Sequence, residues 1–195
     1  MFDRHPQAKR LTLALSATGV LALGLIAPVG AAPAASGVEQ DIAAGALTAS
    51  IADTSMTPLT HSHSSQNSTG TLNLGADDDS GSNAGWYVTV ESSEFTWSAG
   101  ATGATDGSAI PAADFSITTA EDPGFVSGDS VNMPTTGPDA TGGLDSPRIV
   151  LEAAADSGDG AYTQALDVNL AVPANQTAGV YTATVTTTIF SGDTP

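Results

Sequence analysis

Apolar and polar residues alternate along much of the chain, and a period of two is typical of β-strands that are buried on one face. In the first clear example, Trp86, Val88 and Val90 fall on one face, while Tyr87 and Thr89 fall on the other. A half-buried strand is therefore predicted at this position.

Two longer alternating runs lie towards the C-terminus, at 162–172 and 180–190. Pro173 ends the first run because proline has no backbone N–H to donate, and the turn residues Asn175 and Gly179 precede the second. One face of the second run carries the side chains of Tyr181, Ala183, Val185 and Ile189. The short connection between the runs predicts an antiparallel hairpin.

Shorter segments of strand-like composition lie between clusters of Gly, Asp, Ser and Pro. They are 47–51, 69–74, 95–97, 115–118 and 148–151. Many short strands joined by polar turns predict an all-β fold, a single antiparallel β-sandwich. We expect long loops rich in Gly, Asp and Thr at 100–112 and 121–145, at the ends of the sandwich.

The first 34 residues have a different character. Three basic residues within the first ten precede an uncharged apolar run from Leu11 to Pro28, and Ala32 and Ala34 then form an A-x-A pattern. This order is typical of a secretory signal peptide that is cleaved after Ala34, the alternative being an uncleaved membrane anchor. The sequence therefore predicts a signal peptide at 1–34 and one domain at 35–195.

Cleavage would make the protein strongly acidic. Twenty of the 21 acidic side chains follow residue 34, where Arg148 is the only Lys or Arg, so the side-chain charge is −19. Such a surface repels phosphate groups, which excludes nucleic acid and, after signal cleavage, a membrane surface as expected partners. The chain has no Cys, so no disulfide is available and its core must stabilise it.

Few residues have the chemistry that catalysis needs. After residue 34 the only histidines are His61 and His63, whose spacing suits a metal on one strand face, but no further ligands are recognisable. Nucleophilic catalysis by Ser–His or Cys–His pairs has few ways to be assembled. A pair of carboxylates could serve a glycan hydrolase, yet no motif marks such a pair, and no enzyme is expected.

The acidic turn Asp77, Asp78, Asp79 is a candidate calcium site. An EF-hand loop that starts at Asp77 needs an oxygen ligand at its fifth position and Glu at its twelfth, where this chain has Gly81 and Val88. A calcium site of another type is the alternative to a simple polar turn. No other cofactor is expected.

The aromatic residues Trp86, Tyr87 and Trp97 are candidates for contact with a ligand. Trp86 shares its face with Val88 and Val90 and is expected in the core, so Tyr87 and Trp97 are the better candidates for exposed rings.

Two stretches together resemble the WxL-type cell-wall-binding domain of bacteria. The first runs from Leu72 through the acidic turn to Trp86-Tyr87-Val88, and the second runs from Val172 to Ile189. The resemblance implies a β-rich domain that binds peptidoglycan non-covalently at the cell surface, often together with other surface proteins. Two departures stand out, since Val88 replaces the Leu of the first motif and Thr187 replaces the second Trp.

These observations predict an exported, non-catalytic protein that is secreted and attaches to cell-wall peptidoglycan. No sorting motif follows the last run, so attachment is expected to be non-covalent and, because the domain is acidic, sensitive to salt and calcium. One alternative is a structural subunit that assembles into a surface layer through exposed strand edges. The other is a secreted carboxylate-dependent glycan hydrolase.

Overall fold

The computed structural model describes residues 39–100 and 106–195. All described strands belong to the compact unit Ile42–Pro195, whereas the described residues 39–41 of the unit Met1–Asp41 form no helix or strand. The predicted signal peptide and its cleavage point lie outside the described residues and stay predictions. Residues 101–105 of the predicted loop at 100–112 also lie outside the described residues. Within the described ranges, no helix has the length and apolar character needed to cross a membrane.

Twelve β-strands and one short 3₁₀ turn, Ala112–Asp114, make up the regular structure of the described residues. The strands are β1 (Leu47–Ile51), β2 (Gln66–Asp78), β3 (Trp86–Ser92), β4 (Thr96–Gly100), β5 (Phe115–Ala120), β6 (Gly124–Gly128), β7 (Thr135–Thr136), β8 (Gly142–Gly143), β9 (Arg148–Ala153), β10 (Gly160–Val172), β11 (Gly179–Thr182) and β12 (Val185–Ser191).

The larger sheet has six strands, with β2 and β10 at its centre. These two strands pair antiparallel over their full length of 13 residues, so that Asp78 lies opposite Gly160 and Gln66 lies opposite Val172. β1 pairs with the outer side of β2, and β5 and β6 pair with successive parts of β10. All pairings in this sheet are antiparallel.

The second large sheet has four strands in the order β12, β3, β9, β7. Its centre is β3, which pairs with β12 on one side and β9 on the other. A separate ribbon of two strands joins β4 to β11. Phe95, immediately before β4, forms an isolated bridge with Ile110.

The inner faces of the two large sheets contribute to one hydrophobic core, as expected for a β-sandwich. The fully buried members include Leu74, Leu166 and Val168 from the larger sheet and Trp86, Val88, Val90 and Leu151 from the smaller one. Burial of each aliphatic side chain stabilises the fold by about 1.5–3 kcal/mol. Because the chain lacks Cys, this burial has to hold the sheets together.

The all-β prediction is confirmed, but the predicted hairpin between the last two runs is wrong. The run 162–172 belongs to β10 in the larger sheet, whereas the run 180–190 divides into β11, which pairs with β4, and β12, which pairs with β3. Alternation identifies the face that enters the core and does not identify the neighbouring strand. Both runs do present their apolar faces to the core, the first from the larger sheet and the second from the ribbon and the four-stranded sheet.

The predicted loop at 121–145 contains three short strands, β6, β7 and β8, that the sequence pattern does not indicate. Glycines make up two of the five residues of β6 and both residues of β8. Glycine is unfavourable in strand interiors, so these strands form because longer neighbours offer their backbone groups for pairing.

Trp86 anchors one end of the sandwich, which we call the tryptophan end. Its side chain is 1% exposed, and its indole N–H donates a hydrogen bond to the carbonyl of Gly158 at 3.0 Å. Gly158 has a φ of +74°, and a Cβ there would lie 2.9 Å from the indole nitrogen. The close approach of this loop to Trp86 therefore requires glycine.

Replacement of Trp86 by Phe is expected to lower the free energy of unfolding by about 2–3 kcal/mol, because it removes buried volume and leaves the Gly158 carbonyl without its donor. Urea denaturation measures the change. Trp97→Phe is the matched control, with an expected loss below about 1 kcal/mol, since Trp97 is only half-buried. Equal stability of Trp86→Phe and the original chain would contradict this role.

Candidate functional site

A cleft of about 840 Å³ opens at the other end of the sandwich, which we call the cleft end. It lies where β10 ends at Val172 and β12 begins at Val185. Its apolar lining reaches into the core and includes Leu72, Phe95, Ile110, Phe115, Leu170 and Val172. Its polar lining is mainly the hydroxyl groups of Thr and Ser and the amides of Gln66 and Gln176, with Asp53 and His61 as its ionisable side chains apart from Tyr181.

One wall of the cleft is the segment 52–62, which follows β1. This segment runs beside β2 without forming a regular strand and is held by individual hydrogen bonds. The Thr54 hydroxyl donates to the Thr71 carbonyl at 2.6 Å, and the Thr57 backbone N–H donates to the Thr69 carbonyl at 2.8 Å. The Ser68 hydroxyl donates in turn to the Thr57 carbonyl at 2.6 Å. The wall is thus fixed to β2 by hydroxyl-bearing residues.

The opposite wall is the segment 173–184, which includes β11. The hydroxyl of Tyr181 donates to the Thr177 carbonyl at 2.8 Å, which ties this segment to itself. Tyr181 lies directly across from Trp97 in the β4–β11 ribbon, and a Cβ at Gly107 would come within 2.7 Å of both the Trp97 ring and the Tyr181 hydroxyl oxygen. The predicted contact residue Trp97 is thus the cross-strand neighbour of a lining residue and is not itself among the described residues that line the cleft.

Two exposed apolar side chains stand at the mouth of the cleft. Leu59 is 39% exposed and Val180 is 55% exposed, one on each wall. Neither is singled out by the sequence, because Leu59 lies in a polar segment without a periodic pattern and Val180 falls on the face of its run opposite to Tyr181. Tyr181 is indicated only as a core-facing residue of its strand.

The cleft is nearly uncharged although the protein is acidic. Among the described residues that line it, Asp53 is the only acidic one and His61 is the only basic one. The His61 ring lies edge-on to His63 with 5.3 Å between centroids, and Nδ1 of His63 hydrogen-bonds to Oδ1 of Asn175 at 2.6 Å. Within the described ranges, no group of three His, Cys, Asp or Glu residues is placed to hold a metal ion.

The predicted calcium turn lies at the tryptophan end, far along β2 from the cleft. Asp77 and Asp78 are the last residues of β2, so their side chains point to opposite faces, and Asp78 is only 6% exposed. Oδ1 of Asp78 accepts a hydrogen bond from the Ser80 backbone N–H at 2.9 Å, while Asp79 is exposed. Strand geometry therefore separates neighbouring carboxylates, and calcium binding here stays a prediction.

The exposed candidate Tyr87 lies on the outer face of the four-stranded sheet. Its ring stacks on Phe190 of β12, with 5.0 Å between centroids and 19° between planes. Trp86, in contrast, is enclosed by the core, so its side chain offers no surface for a ligand. The structure therefore does not bring Trp86, Tyr87 and Trp97 together at one site.

Thr187, which stands in place of the second motif Trp, is located on the inner side of β12. It pairs with Val90, and its hydroxyl oxygen is buried without a hydrogen-bond partner among the described residues. Trp86 and Thr187 therefore both lie on the inner face of the four-stranded sheet. In this chain the two motif positions lie within the sandwich, away from the cleft lining.

Carboxylates surround a buried tyrosine at the tryptophan end. The Tyr162 hydroxyl donates to the carbonyls of Asp129 and Asp159, at 2.7 and 3.1 Å. Burial raises the pKa of Tyr162, and the negative charges of Asp129, Asp159 and Asp78 raise it further. Hydrogen bonds from the Val131 and Asn132 backbone N–H groups and the Asn132 side chain lower the pKa of Asp129.

The raised pKa of Tyr162 predicts a loss of stability in alkaline solution. Its stabilising effect is complete below the unfolded-state pKa of about 10 and is lost as the pH rises through the higher pKa of the folded state. Tyr162→Phe is expected to cost about 0.5–1.5 kcal/mol at neutral pH but to lose less stability on alkaline titration. Thermal unfolding from neutral pH to about pH 11 tests this. If the original protein and Tyr162→Phe lose equal thermal stability as the pH rises, this prediction is wrong.

A protein-family comparison matches most of the chain. The matching family is described as WxL domain surface cell wall-binding, and the match covers residues 38–192. No curated protein and no solved structure matches the chain. The matched range begins before β1 and includes β12, so it contains both large sheets and the cleft.

Proposed function

Because the chain belongs to the WxL-domain family of surface cell wall-binding proteins, we propose that it is exported and attaches non-covalently to peptidoglycan through the cleft end. The wall-binding character comes with the family. To this we add peptidoglycan as the polymer, non-covalent binding as the type of attachment and the cleft end as the surface that makes contact. The proposal also holds that attachment involves no catalysis.

The contrast between the cleft and the rest of the surface carries this proposal. The glycan strand of peptidoglycan presents hydroxyl and N-acetyl groups at its edges and apolar faces on its sugar rings. A cleft with an apolar floor and a rim of hydroxyls and amides can satisfy both kinds of group. Since Asp53 is the one acidic residue among its described lining, the cleft adds little of the repulsion that a −19 domain exerts on acidic polymers.

The lining of the cleft also supports binding without hydrolysis. Glycan hydrolysis commonly needs two carboxyl groups held about 5–10 Å apart on either side of the bond that breaks. Asp53 has no second carboxylate among the described residues that line the cleft. This composition suits a site that retains a glycan and leaves it intact.

Export is supported by the sequence of the first 34 residues. The basic start, the apolar run and the A-x-A pattern have the order of a cleaved signal peptide. A wall-binding domain acts outside the membrane, so a secretory signal and the family's surface role are consistent with each other.

Sedimentation with purified cell wall tests the proposal. The protein is expected to sediment with peptidoglycan from which anionic polymers have been removed, with or without a chelator. On walls that retain those polymers, a chelator should reduce binding, because divalent cations no longer bridge the acidic protein to the acidic wall. If the protein sediments with neither of the two wall preparations, the proposal is wrong.

A matched pair of variants locates the contact. Val180→Ser removes an exposed apolar group from the mouth of the cleft. It is expected to lower the affinity for peptidoglycan about tenfold and to leave the free energy of unfolding unchanged. Val131→Ser makes the same exchange at an 85% exposed position near the tryptophan end and should have no effect. Equal wall binding by the two variants would place the contact outside the cleft.

A further inference from the structure

Strand β6 (Gly124–Gly128) is paired on one side only. It pairs antiparallel with β10 through Gly160–Thr163, and all five of its residues are exposed. Among the described residues, no strand pairs with its other side. The outward backbone N–H and C=O groups of β6 are therefore available to an additional strand.

The other edges of the sandwich are less accessible than β6. The edge strands β1 and β12 lie against each other, one from each large sheet. β7 and β8, which end the two sheets on the other side, have two residues each. Among the described strands of the two large sheets, β6 is thus the open edge with enough length to pair with an incoming strand.

The open edge is apolar. Phe125 is 46% exposed and Val126 is 57% exposed, and β6 contains no charged residue. The Phe125 ring meets the buried ring of Tyr162 with 6.4 Å between centroids, so one face of Phe125 extends the core while the other stays in contact with solvent. Edge strands that must stay unpaired usually carry Lys, Pro or a β-bulge; β6 carries no Lys or Pro, and its one irregularity is a bulge at Val126, between Phe125 and Ser127.

Carboxylates flank this apolar edge. Asp122 precedes β6 and is exposed, and Asp129, which follows it directly, is partly exposed. Asp129, Asp159 and Asp78 also lie close enough to Tyr162, opposite Phe125, to raise the pKa of its hydroxyl. A second copy of the chain would bring the same negative charges to this edge, whereas a basic strand would be attracted.

We propose that β6 is a docking strand for an extended segment of another protein, with apolar residues at alternate positions and Lys or Arg at both ends. The segment pairs with the free edge of β6, covers Phe125 and Val126, and places its basic ends near Asp122 and Asp129. This surface lies at the tryptophan end and is separate from the cleft, so it leaves wall attachment free to occur at the same time.

Binding of synthetic peptides to the full chain tests the proposal by fluorescence anisotropy. The probe is the labelled, end-blocked peptide Lys-Val-Thr-Val-Thr-Val-Lys, and the control is the same peptide with Glu at both ends. The Lys-flanked peptide should bind about tenfold more tightly or better, and salt should reduce that difference. No binding of the Lys-flanked peptide, or equal binding of both peptides, would overturn the proposal.

Two variants locate the binding site. Val126→Lys places a positive charge on the exposed edge and should weaken binding of the Lys-flanked peptide about tenfold. Val180→Lys makes the same change at a similarly exposed position at the cleft end and should leave peptide binding unchanged. Equal affinities of the two variants would overturn the proposal, as would a concentration-dependent dimer in sedimentation that Val126→Lys abolishes. Neither outcome bears on wall attachment through the cleft.

Discussion

The pairing of β2 with β10 over 13 residues is the interaction on which the rest of the structure depends. The other strands of the larger sheet attach to this pair directly or through β5, and its inner face supplies much of the core. Its register also determines the two ends of the sandwich, since Asp78 lies opposite Gly160 at one and Gln66 opposite Val172 at the other. Without disulfides, the ladder and the core beneath it must maintain both ends.

The two ends differ in chemistry because of what the chain places after each strand. At the tryptophan end, tight turns rich in Asp and Gly close around Trp86 and Tyr162, and carboxylates gather there. At the cleft end, the connections are longer and rich in Thr and Ser, and they remain apart over an apolar floor. A strongly acidic domain can thus present a nearly uncharged surface at the cleft while most of its negative charge lies elsewhere.

The sequence pattern predicts strands where one face is continuously apolar, as in β3 and β10, because alternation reports burial directly. It predicts their partners poorly: the runs assigned to one hairpin belong to different sheets, since the core-facing pattern is the same for either arrangement. β6 is missed because its exposed residues carry no alternation. The cleft is also missed, because it forms where segments distant in sequence fail to pack, whereas the resemblance around Trp86 and Tyr181 does identify the family.

In the proposed mode of attachment, the nearly uncharged cleft end meets the glycan and the acidic tryptophan end does not. Backbone amide chemical shifts of the isotope-labelled protein, titrated with soluble peptidoglycan fragments, test this most directly. The changes are expected to concentrate in the segments 52–62 and 173–184, which form the cleft walls. Changes concentrated around the Asp77–Asp79 turn, or on the outer face around Tyr87, with the cleft walls unaffected, would contradict it.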